Sequence, residues 1–253
     1  MTDTSWHLHT QQFILQKSCS ELAECEDAIS INAELSRFAV TDGATEAFDA
    51  RSWAELLASA WVEDETAALS VDSFRLWVAE QGRKLHATWG GRALSWYAEE
   101  KARAGSYAAF VGVQFDMNAN HARWQAIALG DSCLIHLRNA SIERALPLTN
   151  DEQFNSSPVL VPSLPSLQFA ALSQMVIDSG TVEDGDVFLL LSDAVAAWYL
   201  KCSKERDVAC SEFDARLAAS RHDELTRLFH RERLAGKIKD DDIAALRIAA
   251  SHV

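Results

Sequence analysis

The 253-residue sequence predicts an α+β sandwich. Strand-like segments cluster before and after a long block of helical periodicity, without the regular alternation that builds a parallel sheet. At 48% hydrophobic residues the chain holds enough apolar material for a real core without disulfide staples. Tight polar turns join the central strand-like segments, as antiparallel pairing requires.

His7 and His9 alternate along a first strand. Ala28–Ile31 and Phe38–Val40 read as short strands, the second running into an Asp42-Gly43 turn. From Ala47 to about Arg103 the spacing is helical: Trp53, Leu56, Leu57 and Ala60 share one face, and Phe74, Trp77, Val78, Gln81 and Leu85 another. Two helices fit, broken near Gly90-Gly91 or continued as a third short piece through Trp96. The tryptophans read as core residues, because the surrounding charge is too acidic for a base-stacking platform.

Strands return at Ala108–Phe115, Ala122–Leu129, Cys133–Arg138 and Ser141–Leu146, linked by turns such as Asn118-Ala119-Asn120, and read together as one antiparallel meander. The four prolines, Pro147, Pro158, Pro162 and Pro165, place a loop in mid-chain. A strand at Val187–Leu191, a helix from about Ala194, a long helical region over Ser211–Leu234 and a last strand at Ile243–Ala249 follow. Residues 1–253 read as a single domain.

With 23 Lys and Arg against 37 Asp and Glu, the net charge of −14 disfavours nucleic acid and anionic membrane as partners. Five scattered cysteines with no CxxC pair suggest reduced thiols. The N-terminal segment around Asp3 lacks the pattern of a signal peptide, and no apolar run reaches the roughly 20 residues of a membrane span. A cytoplasmic location is expected.

The acids at strand ends carry the chemistry. Glu26-Asp27 precedes a strand, Asp42 follows one, Asp131 lies in a Gly130-Asp131-Ser132 turn, Asp193 closes Leu189–Ser192, and Asp241-Asp242 opens the final strand. Asp is common in turns, and each acid alone reads as a turn residue before it reads as a ligand. Brought together, such carboxylates would repel, and a hard cation such as Mg²⁺ or Mn²⁺ would neutralise them. The histidines, including His86, His121, His136, His222, His230 and His252, show no metal-ligand spacing.

The ordered series Glu26-Asp27-Ala28, Phe38–Gly43, Gly105–Ala108, Ala128–Ser132, Gly185–Asp193 and Asp241–Ala244 resembles the type 2C metal-dependent protein phosphatases over essentially the whole chain. The resemblance implies a four-layer α/β/β/α sandwich, two central antiparallel sheets flanked by helices, with a metal centre at one end. It implies two Mg²⁺ or Mn²⁺ ions: Asp42 bridging, Glu26 and the Gly43 carbonyl on one ion, Asp193 and Asp241 on the other. Asp27 would act through bound waters, and Asp131 with Asp193 would form a weaker third site. Asp42, Asp193 and Asp241 are thereby the catalytic candidates. The implied activity is hydrolysis of phosphoserine or phosphothreonine in proteins by a metal-activated water, in a signalling pair with a Ser/Thr kinase or its target.

Some positions depart from the family pattern. Ala44-Thr45-Glu46-Ala47 follows Gly43 and supplies no histidine acid, Ala194 replaces a glycine, and Ala244 replaces a hydroxyl residue. No arginine precedes Glu26-Asp27 for phosphate capture, and Lys17 is the loose candidate. The Asn155–Pro165 loop stands where partner choice is set, and Lys237–Asp242 reads, Asp241 aside, as a solvated turn. The alternative reading is a weak or inactive phosphatase-fold regulatory protein; a divalent-cation phosphodiesterase or nuclease is disfavoured by the acidic surface.

Overall fold

The computed structural model describes residues 5–64, 70–90, 95–118, 121–155 and 157–253. Asp3, Gly91, Ala119, Asn120 and Ser156, on which parts of the sequence reading fall, lie outside the described residues.

Two antiparallel sheets form the centre. One orders β1 (Trp6–Leu15), β11 (Ile243–His252), β10 (Val187–Leu191), β6 (Cys133–Arg138) and β7 (Ser141–Leu146). The other orders β2 (Asp27–Asn32), β3 (Arg37–Gly43), β4 (Tyr107–Asp116), β5 (Arg123–Leu129) and β9 (Val176–Thr181), with the short β8 (Val161–Pro162) beside β4. Helices α1 (Ala50–Glu63), α2 (Val71–Trp89) and α4 (Pro165–Leu172) pack with the second sheet, and α5 (Asp193–Glu205), α6 (Val208–Ala218) and α7 (His222–Leu234) with the first. A seventh helix, α3 (Trp96–Ala104), buries none of its residues.

Period-two alternation decides the layering. Along β3, Phe38 and Val40 point between the sheets to meet Phe188, Leu190 and Leu246, while Ala39 faces Trp53 and Leu57 of α1. On the far side, Leu189 and Leu191 of β10 turn outward onto Trp198, Phe213 and Phe229. Three apolar layers thus lie between four layers of structure, as the expected α/β/β/α sandwich requires.

Four expectations are corrected. The central strands do not form one meander: β4 and β5 belong to one sheet, β6 and β7 to the other, and the chain crosses the sandwich at Gly130-Asp131-Ser132. The 211–234 region is two helices, broken where Ser220 takes a left-handed φ of 53° without a glycine to announce it. The proline segment is not only loop: it pairs β8 with β4 and starts α4 with Pro165 at its first turn, where a missing N–H costs nothing. Trp96 is 78% exposed rather than core.

Candidate metal centre

β2 and β3 pair so that Asp27 lies directly opposite Asp42, and the Gly43 N–H donates to the Glu26 carbonyl at 3.1 Å. The sandwich crossing brings Asp131 to the same end. Gly130 makes it possible: its φ of 103° belongs to glycine, and a Cβ there would stand 2.7 Å from that of Ala109. Asp193 is the first residue of α5, where the helix dipole favours a carboxylate, and it accepts from the Ala194 N–H. Ala194 is helical, so its β-carbon is accommodated as the sequence reading required. The Ser192 hydroxyl accepts the Ala244 N–H at 2.9 Å, tying the end of β10 to the start of β11 and setting Asp193 beside Asp241.

Asp242, which the sequence reading placed in a solvated turn, is instead buried and is the brace of this end, because its carboxylate is taken up by backbone donors. Its two carboxylate oxygens accept the Lys17 N–H at 2.8 Å and the Glu26 N–H at 2.9 Å, holding the β1–β2 connection against β11.

The electrostatics are those of crowded, half-dehydrated acids. Burial first, then the neighbouring Asp193, Asp241 and Asp242, holds Asp27 well above the ordinary carboxylate range. Asp42 is raised likewise, by burial and then by Asp27, Asp193 and Asp131. Burial, with Asp193 adding to it, pushes Asp131 up to about 7. Asp193 and Glu26 are also raised, burial being the leading cause in both. Cys25, buried behind Asp27, is pushed up to about 12 and is no nucleophile.

These acids fit a hard cation. Both carboxylate oxygens of Asp27 and Oε2 of Glu26 are buried without a hydrogen-bond partner, a costly state that a divalent ion or its waters would relieve. Among the described residues no three acids close on one point as a finished ligand shell. One pair is already bridged by a lysine. Lys239 Nζ lies 3.2 Å from Asp193 Oδ2 and pairs with Asp241 Oδ2 as well. The sequence reading had placed Lys239 in a solvated turn; its position two residues before Asp241 was the available signal. Lys17, the loose candidate, does stand here, 3.7 Å from Glu26 Oε2.

The histidines stay out of this centre. His136, for example, stacks on Phe188 and faces Asp186 at 3.0 Å inside the sandwich.

A cleft of about 380 Å³ opens over Asp42, Asp131, Asp193 and Asp241. It adjoins one of about 410 Å³, lined by Phe154, Trp198, Lys201 and Lys237. Asn155 borders both, so the segment expected to influence partner choice does flank the acids. Among the described residues no helix is long and apolar enough to cross a membrane.

No family model matches the sequence, and no curated protein matches it. Solved structures do. The catalytic domain of the serine/threonine protein phosphatase PstP, in complex with two manganese ions, superposes with a TM-score of 0.63 at 15% identity, covering 98% of this chain and 100% of that one. PppA, described as a key regulatory component of T6SS in Pseudomonas aeruginosa, gives 0.57 at 18% identity over 98% and 100%. RsbX in complex with magnesium gives 0.52 at 16% identity over 97% and 96%. Likeness at these identities speaks for architecture, and the architecture of this chain is that of the type 2C metal-dependent serine/threonine phosphatases.

Proposed function

We propose that residues 1–253 form a single phosphatase domain that hydrolyses phosphoserine or phosphothreonine in a protein substrate with the help of Mg²⁺ or Mn²⁺. The observation that carries this reading is the meeting of Asp27, Asp42, Asp131, Asp193 and Asp241 at one end of a phosphatase-type sandwich, with dehydrated carboxylate oxygens left without partners.

In this reading Asp42, Glu26 and the Gly43 carbonyl would hold one ion and Asp42, Asp193 and Asp241 a second, with Asp27 acting through water and Asp131 joining Asp193 in a weaker third position. Bound divalent ions would supply the Lewis acidity of the reaction, offsetting charge on the phosphoryl oxygens and making water acidic enough to react near neutral pH. The chain itself orients and excludes. The Asp242 brace and the Ser192 link keep the acids in register, and the cleft beside Phe154 and Trp198 receives the peptide around the phosphorylated residue. Lys17 and Lys239 are the cations that face the acids, and they soften the repulsion an incoming phosphate meets. No histidine follows Gly43, so the leaving alkoxide takes its proton from solvent. A cognate kinase or its target in the cytoplasm is the natural source of substrate.

A second reading, a phosphatase-fold regulatory protein with little turnover, is favoured by the Ala44–Ala47 segment and by Lys239 sitting between two proposed ligands. Release of nitrophenol from p-nitrophenyl phosphate with Mn²⁺ separates the two. We expect metal-dependent turnover that Asp42→Ala abolishes; turnover no greater than in that variant would reject the enzyme and leave the regulatory protein.

A further inference from the structure

The two proposed metal positions are not equivalent in this chain. Around Asp27 and Glu26, buried carboxylate oxygens lack hydrogen-bond partners, and the nearby Lys17 Nζ reaches only Glu26, at 3.7 Å. Between Asp193 and Asp241 the situation is the reverse, because a single ammonium touches both carboxylates.

We propose that Lys239 is a tethered counter-cation that competes with a divalent ion for the Asp193–Asp241 pair, so that the second position fills only at ion concentrations high enough to displace it. The proposal rests on the metal reading of the site given above, which supplies Asp193 and Asp241 as ligands.

The backbone around Lys239 is anchored, so its ammonium stays at high local concentration over the pair. Asp240 accepts the Ser18 N–H at 3.0 Å and pairs with Arg233 Nε at 3.3 Å. The Asp241 carbonyl accepts from Arg233 Nη2, and the Asp241 N–H donates to the Lys239 carbonyl at 3.1 Å. An isolated surface ion pair contributes little, since solvent screens it and ordering two side chains costs entropy. This arrangement differs in that one ammonium relieves the repulsion of two carboxylates that the fold has already fixed. A divalent ion must break both contacts before it can bind there. The positions near Asp27, Glu26 and Asp42 give up only the longer Lys17 contact to Glu26, and among the described residues no ammonium lies across two of their carboxylates.

Isothermal titration with Mn²⁺ alone tests this on the full chain and three variants. Lys239 is 64% exposed at its side chain, so Lys239→Met leaves the core intact. Lys239→Arg keeps the charge, and Lys201→Met removes one unit of charge from the neighbouring cleft without touching the pair. We expect the parent to take up one ion tightly and the Asp193–Asp241 ion in a weak event, with any uptake at the Asp131 position weaker still. Lys239→Met should tighten the weak event roughly tenfold or more, the effect of removing a unit charge in contact with two ligands after allowance for solvent screening. Lys239→Arg should keep the parent behaviour, and Lys201→Met should stay within about twofold of it. An unchanged weak event in Lys239→Met, or equal tightening in Lys201→Met, overturns the proposal while leaving the metal reading standing. Absence of Mn²⁺ uptake in all four proteins overturns both.

Discussion

Replacing Asp27 by asparagine sets stability against metal uptake at a single position. Asp27 faces Asp42 across the β2–β3 ladder, is 7% exposed, and has both carboxylate oxygens without hydrogen-bond partners. Directly opposed strand residues put their β-carbons roughly 5 Å apart. Two charges at that separation repel by about 3 kcal/mol at an effective dielectric of 20. Protonating Asp27 instead costs about 4 kcal/mol at pH 7, at roughly 1.36 kcal/mol per pH unit above the ordinary 3.8. Either way the metal-free protein carries a penalty of about 3–4 kcal/mol, which Asp27→Asn removes. Burying an amide returns on the order of 1–2 kcal/mol of it. The net gain of about 1–3 kcal/mol corresponds to a Tm higher by roughly 2–12 °C in EDTA, at the 2–4 °C per kcal/mol of a chain this size. In Mn²⁺ the order should reverse, because ligand binding stabilises only the form that takes the ion up. Thermal unfolding followed by circular dichroism in EDTA and in Mn²⁺ measures both effects. A lower Tm for the variant in EDTA, or an undiminished Mn²⁺ shift, would refute the claim that these acids are held together against their own repulsion for the sake of a cation.

Two further substitutions probe the frame. A Cβ on Gly82 of α2 would stand 2.2 Å from the Ser163 carbonyl oxygen. That carbonyl cannot retreat, because the Ser163 N–H donates to Ser106 O and its hydroxyl accepts the Ser106 N–H, each at 2.9 Å. Gly82→Ala should therefore cost roughly 2–4 kcal/mol, read as the shift of the urea unfolding midpoint, and a cost under about 0.5 kcal/mol would mean α2 packs elsewhere. Asp214 accepts from the Tyr199 hydroxyl at 3.0 Å, and burial raises its carboxyl from 3.8 to about 6. Between those values the folded protein holds a proton that the unfolded chain releases, so this group's contribution falls as pH rises from about 4 to 6 and stays unfavourable above. Asp214→Asn should gain on the order of 1–2 kcal/mol at pH 7, after allowance for partial exposure, and nothing at pH 3.5. A variant whose advantage is the same at both pH values would contradict the assignment.

Much of the architecture is legible from apolar spacing alone. β6, β7 and β10 fall on Cys133–Arg138, Ser141–Leu146 and Val187–Leu191, the ranges read from the sequence, because runs such as Val-Phe-Leu-Leu-Leu have few other uses. β9 escaped because Val176–Thr181 alternates weakly, carries Gly180 and leaves no residue fully buried. α4 escaped because the prolines leading up to it read as loop, although Pro165 merely opens the helix. The helical break at Ser220 carries neither glycine nor proline to mark it.

By itself the chain's order of residues determined most of the segments that become strands and helices, and that acids stand at the ends of several of those strands. Both follow from local chemistry: side-chain alternation, helical periodicity and the preference of Asp for turns. Tertiary structure alone decided that β5 and β6 lie in different sheets, that Asp242 ties the β1–β2 connection to β11, and that Lys239 sits across Asp193 and Asp241. Those outcomes depend on pairings such as β1 with β11, between segments more than 200 residues apart, whose registers are set by burial of whole sheet faces and not by any neighbour in sequence.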